Sequence, residues 1–247
     1  MNERDERNFC IVVAGHTVAV HALHTQVFSL CKDYLTDLTP DMEIIVTESD
    51  LELERQESRS THSILNDAYL ETLAVYRKIS ESMLAYDTFL MHGAVVAAGG
   101  NAYMFTAVSG TGKTTHVKKW LKHAEGAFVV NGDKPLIKIT DTQAIACGTP
   151  WCGKEGLGTN AMAPLKAIAL MERGEENVME QISFGQAFSF LLQQTYCPLS
   201  ADQMRKTLSL LSAMRDKVRF YRFRFNNLKD DAFSVAYHTL TGDKTVC

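Results

Sequence analysis

The sequence predicts an α/β fold, and three observations carry that reading. Strand-like and helix-like patterns alternate along all 247 residues. The second half holds short, wholly apolar runs, GAVVAA and NAYMFTAV among them, which read as buried strands. One of these runs passes through a glycine-rich loop straight into an amphipathic helix pattern. At 46% hydrophobic and 22% charged residues, the composition is that of an ordinary folded chain. Its length suffices for one large domain or a core with a smaller subdomain.

Near the N-terminus CIVVAG, TVAVHA and EIIVTE read as three short β segments, and the charged SDLELERQESRS as a solvated helix or loop. From Thr61 to Tyr86 the residues Ile64, Leu65, Tyr69, Leu73, Tyr76, Ile79 and Leu84 recur near helical spacing, which predicts a long amphipathic helix. The character then changes, so the boundary falls near residue 87. Residues 1–87 form an N-terminal α/β segment ending in that helix, and 88–247 form the core. In the core, GAVVAA and NAYMFTAV are joined by a Gly99-Gly100-Asn101 turn. A helix over Thr114 to Ala124 follows, with Val117, Trp120, Leu121 and Ala124 on one face. AFVVNGD, PLIKIT, AIACGTP and LKAIALME are strands, and helices centre on 184–192 and 204–214. VRFYRFRF is a late strand and DAFSVAYHTL a last helix.

Composition narrows function. A net charge of −4 argues against a broad nucleic-acid footprint. No apolar run reaches the ~18–20 residues that span a membrane. MNERDERNFC is too charged for a secretory signal, so a cytoplasmic chain is expected. The six cysteines contain no CxxC pair and are not spaced for zinc. His16, His21 and His24 read as ordinary strand and turn residues.

The chemistry-bearing stretch is Ala107-Val-Ser-Gly-Thr-Gly-Lys-Thr114, after an apolar strand and before a helix. That context is what a phosphate-binding loop requires. Gly110 and Gly112 let the backbone curl so that successive N–H groups face one concavity. Ser109, Thr111 and Thr115 flank them, and the helix start adds partial positive charge. Lys113 reaches the β- and γ-phosphates, and the Thr114 hydroxyl is placed for Mg²⁺. Ala107 stands where such loops carry their first glycine; it begins the bend and does not approach the phosphates.

HGAVVAAGGNAYMFTAVSGTGKTT, then VVNGDKPLI, then a GLG segment resembles the HPr kinase/phosphorylase family, whose P-loop core is shared with phosphoenolpyruvate carboxykinase. The resemblance covers about residues 89 to 240 and implies that core with a mixed sheet and flanking helices, acting on ATP with Mg²⁺. It implies a role for His92 near the phosphates or the acceptor; the alternative is a structural histidine at a strand start. It implies that Asp133 is the base on an acceptor hydroxyl, or a Mg²⁺ ligand, at a strand end suited to sites in α/β sheets. The alternative for Asn-Gly-Asp is a plain turn. The family's second aspartate position is Gly132 here, and Lys134 adds a charge that holds Asp133 ionised or meets a phosphate. Lys154-Glu155-Gly156-Leu157-Gly158 is similar to the family's Glu-x-Arg-Gly-Leu-Gly with the charges reordered. Glu155 is thus a candidate metal or water ligand and Lys154 a candidate phosphate clamp, while the plain reading is a connecting loop.

Two functions follow. The first is an ATP- and Mg²⁺-dependent kinase moving the γ-phosphoryl group to a hydroxyl, a serine of a protein or peptide or that of a small molecule. The second is a nucleotide-binding regulator or assembly protein without transfer. Neither involves nucleic acid or membrane, and a homo-oligomer is admitted. The carboxykinase itself is disfavoured by length, and a motor ATPase by the lack of a recognisable arginine finger. In VRFYRFRF, Arg222 and Arg224 share a face with Val218 and Phe220, as a half-exposed strand would show; arginine with aromatics also binds nucleobases.

Overall fold

The computed structural model describes residues 5–59, 65–226, 229 and 231–242. Two compact units result, Met1–Tyr86 and Asp87–Cys247.

The first unit begins with the hairpin β1 (Asn8–Val13) and β2 (His16–His21), followed by α1 (Gln26–Leu30), β3 (Leu35–Thr36) and β4 (Met42–Ile45). The sheet order is β3-β1-β2-β4, antiparallel except for β2 with β4. In β1 the alternating Phe9, Ile11 and Val13 are buried, the period-2 signature of a sheet covered on one face. Helices α2 (Glu48–Arg59) and α3 (Asp67–Met83) complete the unit, so the charged SDLELER stretch is helical. The expected helix start at 61–64 lies outside the described residues. Helix α3 starts where Asn66 caps it, its side chain accepting the Tyr69 N–H at 2.8 Å. Arg77 of α3 binds Asp50 and Glu54 of α2 at 3.1 and 2.7 Å. Glu71 is fully buried and satisfied: it accepts the backbone N–H groups of Leu23 and His24, and the His24 ring at 3.0 Å.

The second unit is a mixed α/β structure with a curled sheet. Its elements are β5 (Thr88–Leu90), β6 (Ala94–Ala98), β7 (Asn101–Thr106), α4 (Lys113–His123), β8 (Phe128–Asn131), β9 (Leu136–Ile139) and β10 (Ala144–Cys147). Then come β11 (Met162–Arg173), β12 (Val178–Ile182), α5 (Phe184–Gln193), α6 (Ala201–Ala213), β13 (Arg219–Phe225) and α7 (Ala232–Thr241). β11 is the spine. Its first residues pair with β10, which continues to β9 and β5. From Leu165 it runs parallel to β7, with a register shift between Leu165 and Ala167, and from Ala167 parallel to β13 on the other side. One strand thus serves two sheet segments, with the irregularity where they meet. Beyond β7 lie β6 and β8, antiparallel, and beyond β13 lies β12. The parallel strands β7, β11 and β13 therefore end along one common edge.

The Gly99-Gly100 pair alone turns the β6–β7 hairpin; Asn101 already pairs with Ala98. Tyr103, Phe105 and Ala107 from β7 and its end, with Phe223 from β13, build a core with Trp120 of α4 and Phe233 of α7. Trp120 is fully buried, 5.3 Å from Tyr103 and 5.7 Å from Phe233. The expected face of α4 needs one correction. Leu121 is exposed, and His116 takes a core place, because the buried stripe runs through 113, 116, 117 and 120 and Leu121 lies about 40° beyond Val117, outside its edge. No described helix is long and apolar enough to cross a membrane.

Candidate functional site

The loop after β7 starts from a buried, pinned strand end: Thr106 Oγ1 donates to the His92 carbonyl at 2.8 Å. Ala107 is fully buried and not in the left-handed region, so alanine fits there without strain. Gly110 (φ 79°) and Gly112 (φ 120°) are left-handed, a conformation that any side chain would strain. Thr111 Oγ1 closes the turn on the Val108 carbonyl at 2.7 Å. Gly112 caps α4 without a side-chain hydrogen bond, and no acid stands in the first turn. The opening N–H groups, including those of Thr114 and Thr115, therefore meet no side-chain acceptor from the cap. Ser109 and Gly110 are exposed at the loop tip.

Lys113 is the buried exception, 8% exposed, its ammonium donating to the Ala107 carbonyl at 3.0 Å. Burial pushes its pKa down, and the charge of Asp133 pulls it back up. A buried ammonium with one neutral acceptor keeps two donors for an anion.

Asp133 stands just past the end of β8. Asn131, fully buried, fixes its backbone: Asn131 Oδ1 accepts the N–H groups of Asp133 and Lys134 at 2.8 and 2.7 Å. The Asn131 amide nitrogen in turn donates to Thr149, at 2.9 Å to Oγ1 and 3.1 Å to the carbonyl. That Asx turn aims the aspartate. Its Oδ1 lies 3.2 Å from His92 Nε2, and the Gly93 N–H donates to its carbonyl at 2.8 Å. The hydrogen bond from His92 holds the Asp133 carboxyl below its usual range; burial opposes this, and the charges of His92, Lys134 and Lys113 assist. The other ring nitrogen, His92 Nδ1, is 3.1 Å from Gln194 Oε1, and the His92 N–H donates to the Gln194 carbonyl at 2.7 Å. With Nε2–H given to Asp133, Nδ1 needs either a second proton or a Gln194 amide turned to present its NH₂.

The 148–158 loop closes over this turn. A Cβ on Gly132 would lie 2.9 Å from the carbonyls of Cys152 and Leu157, so no second aspartate fits beside Asp133 with the loop as placed. Gly153 approaches Asp133 itself, its own missing Cβ falling 3.0 Å from the aspartate Cβ. Glu155 is exposed and pairs with Lys118 of α4 at 2.5 Å; that pairing lowers its pKa. Lys154 is exposed on the same loop, and Lys134 is half-buried beside Asp133. The structure thus gathers Lys113, Asp133 and His92, while Glu155 is engaged by α4. Among the described residues no group of three or more His, Cys, Asp or Glu could hold a metal ion.

Asn131, Thr149 and Gln194 are site residues the motif reading missed. Asn131, two residues before an aspartate at a strand end, carries an Asx-turn signal. Gln194, 102 positions from His92, carries none.

No family model matches the chain, and no curated protein matches it significantly. Among solved structures, the HPr(Ser) kinase/phosphatase from Coxiella burnetii is similar in fold, with a TM-score of 0.40 and 8% identity over 62% of this chain and 91% of that one. A likeness of that size carries nothing about activity or substrate.

Proposed function

We propose that this chain is an ATP- and Mg²⁺-dependent kinase that moves the γ-phosphoryl group to a hydroxyl of a protein, peptide or small molecule. The observation that carries the reading is the convergence of buried Lys113, the half-buried Asp133–His92 pair and an uncapped helix start around one glycine loop. In this reading the loop N–H groups and Lys113 hold the phosphates. Asp133 takes the proton from the acceptor hydroxyl, whose oxygen bonds to the γ-phosphorus as the bond to the β,γ-bridging oxygen breaks and the diphosphate leaves. His92 orients the carboxylate and keeps it ionised. Thr114 would hold Mg²⁺ together with phosphate oxygens, the sparse protein ligation that ion accepts. That ion would neutralise charge on the transferring group.

The filled space beside Gly132 favours a second reading, a nucleotide-binding regulator or assembly protein, because it leaves a single acid at this strand end. Both readings share one test. Mg·ATP at 100 times its Kd stabilises the protein by about 2.7 kcal/mol, a melting shift of about 5–10 °C. Lys113→Ala removes the shift. A wild-type protein unmoved by millimolar Mg·ATP would exclude both.

A further inference from the structure

The glycine loop has a second side. A cavity of about 510 Å³ opens between loop residues 108–111, the far end of β11 and the middle of β13, the size of a small-molecule site. Leu170 and Arg173 of β11, Arg222 of β13, and Gln186 and Phe190 of α5 complete its wall. Leu170 and Arg222 are paired across the parallel strands and so share a face. Arg173 Nη2 donates to the Gly110 carbonyl at 3.2 Å, tying the cavity to the loop. Among the described residues the Arg222 guanidinium pairs with Glu172, at 3.9 Å. Phe190 is half-buried, and it stacks on no other ring among the described residues.

Strand order assigns the two sides. β7, which delivers the loop, lies between β6 and β11. The Asp133–His92 pair stands on the β6–β8 side. If the transferring end of a triphosphate points there, the nucleoside leaves on the β11–β13 side, where the cavity lies. Helix α5 borders both: Gln186, Phe190 and Gln194 follow at i, i+4 and i+8, and Gln194 meets His92.

We propose that this cavity is the nucleoside subsite, accepting a flat heterocycle between the Phe190 ring and the Arg222 guanidinium. The assignment rests on the kinase reading, since the loop must fix the phosphates first. Phenyl and guanidinium faces both stack on bases.

The test compares Mg·ATP with inorganic tripolyphosphate by calorimetry. Phe190→Ala and Arg222→Ala each weaken ATP about tenfold, with tripolyphosphate binding unchanged. Phe190→Leu keeps the apolar bulk and loses the flat face, and it weakens ATP by a similar factor. Unchanged ATP affinity in both alanine variants overturns the subsite, as does an equal loss for ATP and tripolyphosphate. Wild-type protein that binds neither ligand overturns the loop reading instead, and the subsite with it.

Discussion

Helices α4 and α5 lie in the same unit and begin in opposite ways. At α5, Ser183 and Gln186 form a capping box that satisfies the opening N–H groups reciprocally. At α4 the cap is Gly112, which offers no side-chain acceptor, no acid stands in the first turn, and the first helical residue is a buried lysine. A side-chain cap stabilises a helix by about 1 kcal/mol, and α4 forgoes it. The difference separates a helix start built for stability from one built to face an anion. Lys113 sharpens it, because a buried cation at a positive helix end is unfavourable until a negative group arrives.

That contrast can be broken in three further ways. The largest effect is expected at Asp133, beside the open start. Asp133→Asn should lower transfer of label from γ-labelled ATP into cell extract on the order of 10²–10⁴-fold while ATP binding stays. Retained transfer would remove Asp133 as the base, whereas a wild type that labels no acceptor at all would put the regulator reading ahead.

Next comes the support beneath α4. His116 is 1% exposed, accepts the Trp120 indole N–H at 3.1 Å, and is pushed by burial from 6.5 to about 3. Its folded pKa lies below the unfolded one, so between those values the unfolded chain binds a proton that the folded chain refuses. Stability therefore falls as pH drops below 6.5, and the loss is complete near 3. His116→Gln keeps an acceptor and does not titrate. Between pH 6.5 and 5 the wild type should lose about 2 kcal/mol more than this variant in urea unfolding. Parallel pH profiles would mean that burial does not lower the His116 pKa in the fold.

The smallest effect belongs to α5. Ser183→Ala should cost about 1 kcal/mol of stability and leave ATP affinity unchanged. A change in ATP affinity would show that the capped start also serves the site.

Much of the fold was legible because its signals are local. The β6–β7 hairpin follows from two apolar runs around paired glycines, and α3 from its helical period. β12 was missed because VMEQI is an edge strand with no buried alternation to read. Leu121 was misplaced because it stands at the edge of the buried stripe of α4, where helical periodicity alone does not decide between core and solvent. At the candidate site, the loop residues and Asp133 stand in a contiguous motif or at a strand end, where pattern alone marks them. Gln194 and Thr149 carry no local mark, since their roles arise from contacts with His92 and Asn131.

The sequence by itself determined the alternation of elements, the glycine loop at a strand–helix junction and the candidate acid after the next strand. Each rests on residues within one element or one turn of each other, where backbone geometry fixes the spacing. Only the tertiary structure decided that His92, Asp133 and Gln194 touch, that Gly132 is walled in by two carbonyls, and that a cavity opens beside Arg222. Those facts depend on strand order, which brings distant segments together along one edge. Local periodicity carries no record of such long-range pairing.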